Sequence, residues 1–261
     1  MTQRLHYWQR GDEGAPAVVL LHGFMGRGAD FETLIAPCIE ERHFIVVDLP
    51  GHGRSVDCLS GNQPANLGWM AAQVAGLLER LPQQKLELFG YSMGGRIALY
   101  VALEFGHKIR SLTLESASPG LGDKEGRRQR RAADARRAER LREQSLADFV
   151  DDWYDLGLFG TLKEHPEFEA MRRRRLQNDG RAIARVIEEM SPGAQPDLWP
   201  ELGRLTIPTR WIAGAEDAKY VDICTRAARL SGGEAQIVDH AAHTVHLEAP
   251  EAIRRRWFSG S

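Results

Sequence analysis

The chain has 261 residues, with 34 Lys+Arg against 36 Asp+Glu and a net charge of −2. This length suits one large α/β domain with a full core, or two small domains. The balanced charge gives no overall case for nucleic-acid binding, and no apolar run reaches the roughly 18 residues that cross a membrane.

Short apolar runs alternate with helical patterns along most of the chain. Most of these runs are rich in Val, Ile and Leu without alternation, which is typical of strands buried on both faces of a parallel sheet. The predicted strands are 17–21, 44–48, 86–91, 109–115, 209–215 and 234–239, with 5–8 as an added antiparallel edge strand. The predicted helices are 30–41, 67–81, 93–105, 219–230 and 250–258. Repeated strand–helix units predict an α/β fold with a doubly wound, mostly parallel sheet.

The strand–helix rhythm breaks between residues 120 and 205, where no convincing strand pattern occurs. Eight arginines fall between 126 and 142, and residues 172–175 are all arginine. We therefore expect two core segments, 1–119 and 206–261, separated by a helical cap or lid at 120–205. Most of the lid arginines are expected on solvated helix faces, partly paired with acidic neighbours at helical spacing.

The stretch Gly90-Tyr91-Ser92-Met93-Gly94 fits the pattern G-x-S-x-G where a predicted strand ends and a predicted helix begins. In that context the pattern is typical of a nucleophile elbow, in which a serine adopts a strained backbone conformation. The serine oxygen then stands at a helix N-terminus, where N–H groups favour negative charge. Ser92 is the candidate catalytic residue; the plain alternative is a tight turn with an exposed serine.

A second motif, His22-Gly23-Phe24, follows the predicted strand 17–21. A strand ending of this kind is typical of an oxyanion-hole loop, in which backbone N–H groups hold a developing negative oxygen. We expect the N–H groups of Phe24 and Met93 to form that hole. An ordinary turn at the end of a strand is the alternative.

A carboxylate and a histidine are needed to complete a catalytic triad. Asp217 follows a strand in a Gly-x-x-Asp loop and is favoured over Glu115, which ends the preceding strand. Near the C-terminus, His243 is favoured over His240 at the strand edge and over His246. The order Ser, Asp, His along the chain is the one used by the α/β-hydrolase arrangement.

The segments "LLHGFMG", "DLPGHGRS", "GYSMGGR", "GAEDAKY" and "AAHTVHLEAPE" together resemble the α/β-hydrolase superfamily. Asp48, His52 and Arg54 in the second segment are assigned structural roles. The lid segments "RRQRRAAD", "FVDDWYDLGLFGTL", "RRRRLQNDG" and "MSPGAQPDLWPEL" are similar to those of the 2-succinyl-6-hydroxy-2,4-cyclohexadiene-1-carboxylate synthases (MenH) of menaquinone biosynthesis.

This resemblance implies a lyase that eliminates pyruvate from 2-succinyl-5-enolpyruvyl-6-hydroxy-3-cyclohexene-1-carboxylate, a small molecule with three carboxylates. The triad then acts as a general base, and no cofactor or metal is implied. The resemblance further implies substrate contacts from Tyr91, Arg96, Arg130, Trp153, Arg175 and Lys219. Among the lid arginines, Arg127, Arg128 and Arg131 remain alternatives to Arg130.

Three other interpretations use the same residues differently. A carboxylesterase or C–C bond hydrolase shares the triad but needs no carboxylate-binding arginines. A non-enzymatic receptor on this fold would not need a complete triad, and nucleic-acid binding by the lid lacks interleaved aromatic residues. Three scattered cysteines, Cys38, Cys58 and Cys224, favour reduced thiols and a cytoplasmic protein. Since the apolar runs are short, no membrane insertion is expected.

Overall fold

The computed structural model describes residues 4–258, so residues 1–3 and the C-terminal Ser259-Gly260-Ser261 lie outside the described residues. A seven-stranded sheet runs through this part of the chain in the order β1-β3-β2-β4-β5-β6-β7. Its strands are β1 (Tyr7–Gly11), β2 (Ala17–Leu21), β3 (His43–Val47), β4 (Leu86–Tyr91), β5 (Ile109–Glu115), β6 (Thr209–Gly214) and β7 (Glu234–Val238). Strand β1 pairs antiparallel with β3, and all other neighbours are parallel. The predicted mostly parallel sheet is confirmed, although its edge strand begins at Tyr7 instead of residue 5.

Helices cover both faces of the sheet. The α-helices are α1 (Glu32–Ile35), α2 (Leu67–Arg80), α3 (Met93–Phe105), α4 (Lys124–Glu143), α5 (Leu146–Tyr154), α6 (Phe168–Arg175), α7 (Gly180–Glu189), α8 (Ala218–Ser231), α9 (Val245–Glu248) and α10 (Pro250–Phe258). The prediction of a single helix over 30–41 is wrong. Only α1 is α-helical there, flanked by 3-10 turns, because Pro37 has no N–H and its ring opposes a continuing helix.

Alternate residues of one strand enter two separate apolar cores. Val19 and Leu21 of β2 join the core under α2, α3 and α8, whereas Val18 and Leu20 join the core under α1 and α10. Successive side chains of a strand point to opposite faces, so a strand covered on both sides must be apolar throughout. This requirement explains the uninterrupted apolar runs in the sequence.

Helices α4 to α7 lie between β5 and β6, and the described stretch 116–208 contains no strand. They share an apolar cluster of their own, built around side chains such as Phe149, Phe159 and Ile183. Met25 and Leu247 from the sheet side also enter this cluster, which packs the lid over the carboxyl ends of the strands. The exact division into a lid at 120–205 and core segments at 1–119 and 206–261 stays a prediction.

A buried ion pair ties the lid to the loop that follows β2. Asp30 accepts hydrogen bonds from Arg174 Nε at 2.7 Å and from Arg175 Nη1 at 2.5 Å. Burial alone would raise the pKa of Asp30, but the charges of Arg175 and Arg174 outweigh burial and lower that pKa to about 2. A depression of this size corresponds to a stabilisation on the order of 2 kcal/mol.

Replacing Asp30 with Asn should lower the free energy of unfolding by about 2 kcal/mol at pH 7, because the amide cannot ionise. Folding depresses the pKa of Asp30, so its contribution is complete above the unfolded value near 4 and is lost as the pH falls through about 2. The difference between wild type and variant should therefore shrink from pH 4 towards pH 2 in denaturant titrations. Exposed Asp12, whose carboxylate accepts from the N–H of Gly14, provides the control Asp12→Asn. A difference that does not vary with pH would contradict the ion-pair explanation.

Candidate active site

The turn between β4 and α3 places Ser92 in a backbone conformation that side chains rarely adopt, with φ of 50° and ψ of −107°. Glycines make the turn possible. A Cβ on Gly90 would lie 2.5 Å from the carbonyl oxygen of Gly94, and one on Gly94 would lie 2.3 Å from that of Leu21. The strained serine is held in place because its N–H donates to the carbonyl of Glu115 at 2.8 Å.

Ser92, His243 and Asp217 form a hydrogen-bonded chain. Ser92 Oγ lies 3.0 Å from His243 Nε2, and His243 Nδ1 lies 2.7 Å from Asp217 Oδ2. The other two members of this chain are buried, with exposures of 3% for His243 and 4% for Asp217. The carboxylate accepts from Nδ1–H, which leaves Nε2 free to take the hydroxyl proton. The arrangement is that of an activated serine.

The structure also separates the alternatives for the acid and the histidine. Glu115 Oε1 accepts from the backbone N–H of His246 at 3.0 Å and lies 2.9 Å from His246 Nδ1. Glu115 therefore serves a different imidazole from the one that meets the serine. His240 is exposed in a turn with φ of 56°. Of the three histidines, His243 is the one that contacts Ser92.

Phe24 and Met93 both lie next to the serine, and their role in an oxyanion hole stays a prediction. Phe24 lines the same small cavity as Ser92, and Met93 opens helix α3 directly after it. Within residues 4–258 neither N–H donates to another protein group. Two unsatisfied donors beside an activated hydroxyl fit an oxyanion hole.

Two buried histidines hold the loop that carries Phe24. His22 Nδ1 donates to the carbonyl of Gly23 at 2.7 Å, and its Nε2 accepts from the N–H of Leu49 at 2.9 Å. His52 Nε2 accepts from the N–H of Met25 at 3.2 Å. Burial lowers the pKa of both imidazoles, which keeps them neutral and able to accept. This contact is consistent with the structural role predicted for His52. For His22, the sequence predicted no role beyond its place in the His-Gly-Phe motif.

The cavity above the serine has a volume of about 30 Å³, which is room for little more than one water molecule. Lid side chains, including Trp153, Phe159 and Arg175, form its upper wall. Trp153 packs on Phe24 with ring centroids 4.9 Å apart. Any ligand larger than water therefore needs a displacement of the lid.

Arg96 lies one helical turn after the serine and is a cation without an anionic partner. Its Nη1 donates to the carbonyl of Met190 at 2.7 Å and to Gln195 Oε1 at 2.8 Å. No carboxylate oxygen of residues 4–258 lies within 4.0 Å of it. Burial, reinforced by the charge of Arg130, lowers the pKa of Arg96 to about 10, so the group is charged at neutral pH. Sequence reasoning missed Gln195, although the segment that carries it was noticed.

Arg130 lies within electrostatic range of both Arg96 and Lys219. Arg130 Nε donates to Asp134 Oδ2 at 2.7 Å, and this carboxylate is completely buried. The side chain of Lys219 is exposed overall, but its ammonium group is partly buried. This burial, together with the charge of Arg130, lowers the pKa of Lys219. Lys219 Nζ lies 5.6 Å from the ring of Tyr220, which itself packs on the catalytic imidazole. We call Arg96, Arg130 and Lys219 the positive cluster; the charge of Arg130 acts on the other two, and that of Asp134 opposes it.

The neighbours of Arg130 have other partners. Arg127 and Arg131 donate to the carbonyls of Gln195 and Gly193, so they fix the turn that holds Arg96. Arg128 is exposed and pairs with Glu125 at 2.6 Å. The choice of Arg130 among these residues remains a prediction.

The remaining candidates lie on the other side of the serine. Arg175 lines the cavity, but its guanidinium is bound to Asp30 and, at 2.9 Å, to the hydroxyl of Tyr154. Burial alone would lower the pKa of Arg175, but Asp30 and Tyr154 raise it. The hydroxyl of Tyr91 lies 3.0 Å from Thr244 Oγ1, and its ring, which lines the cavity, packs against the imidazoles of His243 and His246.

Residues 4–258 contain neither a metal-binding cluster nor a membrane-spanning helix. No cluster of three or more His, Cys, Asp and Glu side chains there is arranged to hold a metal ion. No helix in the same range combines the length and apolarity needed to cross a membrane.

Comparison with known proteins gives relatives of the same size and fold. The family described as alpha/beta hydrolase fold matches residues 16–250. The 2-succinyl-6-hydroxy-2,4-cyclohexadiene-1-carboxylate synthase of Serratia proteamaculans is 34% identical over 248 residues, which cover 94% of this chain and 92% of that protein. The solved structure of MenH from S. aureus has a TM-score of 0.91 and 31% identity, covering 97% of this chain and 96% of that one.

A plant relative is much longer. Protein PHYLLO, chloroplastic, of Arabidopsis thaliana is 34% identical over 262 residues, and the match spans 95% of this chain but 15% of that protein. The bacterial relatives, in contrast, match over nearly their full lengths. Fold, length and sequence agree, and this chain belongs to the α/β-hydrolase superfamily and, within it, to the family of 2-succinyl-6-hydroxy-2,4-cyclohexadiene-1-carboxylate synthases.

Proposed function

We propose that this chain eliminates pyruvate from 2-succinyl-5-enolpyruvyl-6-hydroxy-3-cyclohexene-1-carboxylate in menaquinone biosynthesis, with Ser92 as the base. The product is 2-succinyl-6-hydroxy-2,4-cyclohexadiene-1-carboxylate. Full-length likeness to synthases of this product supports the reaction. The structural observation that carries the proposal is Arg96, a cation beside the serine whose polar partners within residues 4–258 are a carbonyl and an amide. A substrate with three carboxylates would supply the missing anion.

The reaction begins with removal of a proton from the carbon next to the succinyl ketone. Ser92 Oγ takes that proton as its own hydrogen passes to His243 Nε2, 3.0 Å away. Asp217 holds the imidazole in the tautomer that can accept, and it stabilises the imidazolium. The electron pair moves through the ring, and the carbon–oxygen bond to the enolpyruvyl group breaks. The leaving group departs as the enolate of pyruvate and takes up one proton at its methylene carbon, which balances the proton removed from the substrate.

Negative charge develops on the ketone oxygen during proton removal. The N–H groups of Phe24 and Met93 are the donors that would hold this oxygen, since no protein acceptor in the described residues occupies them. Donors fixed before the reaction stabilise such charge without reorganising. The same hole serves acyl transfer, so it does not distinguish an elimination from ester hydrolysis.

The positive cluster of Arg96, Arg130 and Lys219 would bind carboxylates on one side of the serine. Arg175 would bind on the other side through the part of its fork not used by Asp30 and Tyr154. Arginine suits this task because its planar fork meets a carboxylate with two parallel bonds. Tyr91 and Trp153 would contribute apolar walls. A cavity of about 30 Å³ is too small for this substrate, so binding requires the lid to move.

Two further expectations accompany the proposal. Proton removal and loss of a leaving group need no redox or group-carrying cofactor, and the absence of a cofactor stays a prediction. Cys38, Cys58 and Cys224 are buried and form no disulfide among the described residues, which agrees with reduced thiols. A cytoplasmic location stays a prediction as well.

Loss of any member of the triad should abolish most turnover. Ser92→Ala, Asp217→Asn and His243→Ala should each lower kcat by roughly 100-fold or more, since each removes the base or its activation. The measurement is pyruvate release from the enolpyruvyl substrate, coupled to lactate dehydrogenase, with circular dichroism to establish folding. Ser92→Ala with near-normal pyruvate release would exclude the serine as the base. Fast hydrolysis of p-nitrophenyl esters by the wild type, without pyruvate release, would favour the esterase alternative.

Removing Arg96 should leave a substrate carboxylate without its donor. A hydrogen bond between charged groups contributes about 1.5–3 kcal/mol, so Arg96→Ala should lower kcat/KM by roughly 10- to 100-fold. Arg96→Lys should restore only part of this loss, because an ammonium cannot reproduce the fork. Arg130→Ala should show a similar loss, read from steady-state pyruvate release.

Exposed lid arginines provide the matched controls for these variants. Arg136 is exposed, and exposed Arg140 pairs with Asp152. Arg136→Ala and Arg140→Ala should leave kcat/KM nearly unchanged. Equal losses in the controls and in Arg96→Ala would show that the lid acts as a diffuse positive field, and the specific contacts would be wrong.

A further inference from the structure

A second carboxylate–imidazole pair lies buried next to the triad. Glu115, at the end of β5, is fully buried, and His246, at the start of α9, is 3% exposed. His246 Nδ1 lies 2.9 Å from Glu115 Oε1 and 3.1 Å from Glu115 Oε2. Its ring packs edge-on against Tyr91 at 4.6 Å between centroids. A buried carboxylate needs such donors, because an unpaired one would be strongly disfavoured.

Glu115 contacts both of the turns that must meet for catalysis. Its backbone carbonyl accepts from the N–H of Ser92 at 2.8 Å, which supports the strained serine. Its side chain accepts from the N–H of His246 at 3.0 Å, which holds the loop that carries His243. Glu115 therefore links the position of Ser92 to that of His243.

The other end of the histidine loop is fixed by a different set of bonds. Glu248 Oε2 accepts from the N–H of Thr244 at 2.9 Å and from that of Ala242 at 3.2 Å. The carbonyl of His243 itself accepts from Ser116 Oγ at 2.8 Å. The contact between Glu115 and His246 adds a further link. It joins the histidine loop to the residue whose carbonyl accepts from the N–H of Ser92.

We infer that Glu115 and His246 are positioning residues, which set the separation of 3.0 Å between Ser92 Oγ and His243 Nε2. This inference rests on the proposed role of Ser92 as an activated base. Neither residue lines the cavity, so neither touches the reacting atoms. Their effect is on the geometry of proton transfer, where a displacement of about 1 Å can cost on the order of 100-fold in rate.

The first test is Glu115→Gln, which keeps the size of the side chain but replaces one acceptor oxygen with a donor. The new amide N–H₂ would face the two N–H donors of His246, and the loop should shift. The matched control is Glu87→Gln, since Glu87 lies in β4 at the end far from Ser92 and binds Arg42 and Arg110. Both variants remove a buried or half-buried carboxylate from the same sheet.

Four quantities are measured on the complete chain: kcat and KM for pyruvate release, the rate of Ser92 sulfonylation by phenylmethanesulfonyl fluoride, and Tm. Sulfonylation is followed by intact mass and reports serine activation without the natural substrate. Glu115→Gln should lower kcat and sulfonylation together by roughly 10- to 100-fold with little change in KM, because the substrate arginines are unaltered. Glu87→Gln should lower Tm and change neither rate.

A second pair of variants keeps the test decisive if Glu115→Gln does not fold. His246→Asn retains an N–H donor near the position of Nδ1, whereas His246→Leu does not. His246→Asn should recover at least roughly tenfold of the sulfonylation rate lost in His246→Leu, which a merely space-filling role would not produce.

Wild-type sulfonylation rates in Glu115→Gln, or losses in both Glu→Gln variants that simply follow Tm, would overturn the positioning role. Failure of the wild type to release pyruvate would instead overturn the proposed reaction. The sulfonylation comparison would still decide the inference in that case.

Discussion

The backbone of Ser92 is the constraint on which the rest of the site depends. A φ of 50° and a ψ of −107° carry a conformational cost, and the sheet offsets it through the bond from Ser92 N–H to Glu115. Gly94 lets α3 begin immediately against the strand that precedes the oxyanion loop. The hydroxyl therefore meets His243, and one helical turn later Arg96 enters the space beneath the lid. The positions of Ser92, its partner His243 and Arg96 all depend on this one strained turn.

Arg175, which is buried, and Arg96, which is half-buried, have different partners beneath the lid. Arg175 is neutralised by Asp30, and this pair joins α6 to the loop after β2. Arg96 donates to two neutral oxygens, and no carboxylate of residues 4–258 is paired with it, although the charges of Arg130 and Asp134 both act on it from farther away. Burying a cation without an anion is unfavourable unless a ligand supplies the charge. The Arg175–Asp30 pair joins the lid to the sheet, and under the proposed function Arg96 is the residue that would bind a substrate carboxylate. One arginine thus holds the lid in place, while the other has no carboxylate partner among the described residues.

Much of this arrangement was predictable from local sequence patterns. The strands β2, β4 and β5 are continuous apolar runs, and Ser92, Asp217 and His243 follow such strands in a characteristic order. Contacts between distant segments were not predictable, because no local pattern records them. The pairing of Arg175 with Asp30 spans 145 residues, and the partner of Glu115 was open until the structure placed His246 against it. The shortened α1 was missed because the effect of Pro37 was underweighted relative to apolar spacing.

The central claim is that the triad works as a base and never carries an acyl group. Its most direct test is intact mass spectrometry of the wild-type protein during turnover of the enolpyruvyl substrate, with pyruvate and the conjugated diene followed in parallel. Elimination predicts one pyruvate for each diene formed and an unmodified protein mass throughout. A covalent adduct on Ser92 that forms and decays at the rate of turnover would contradict the claim and identify the serine as a nucleophile.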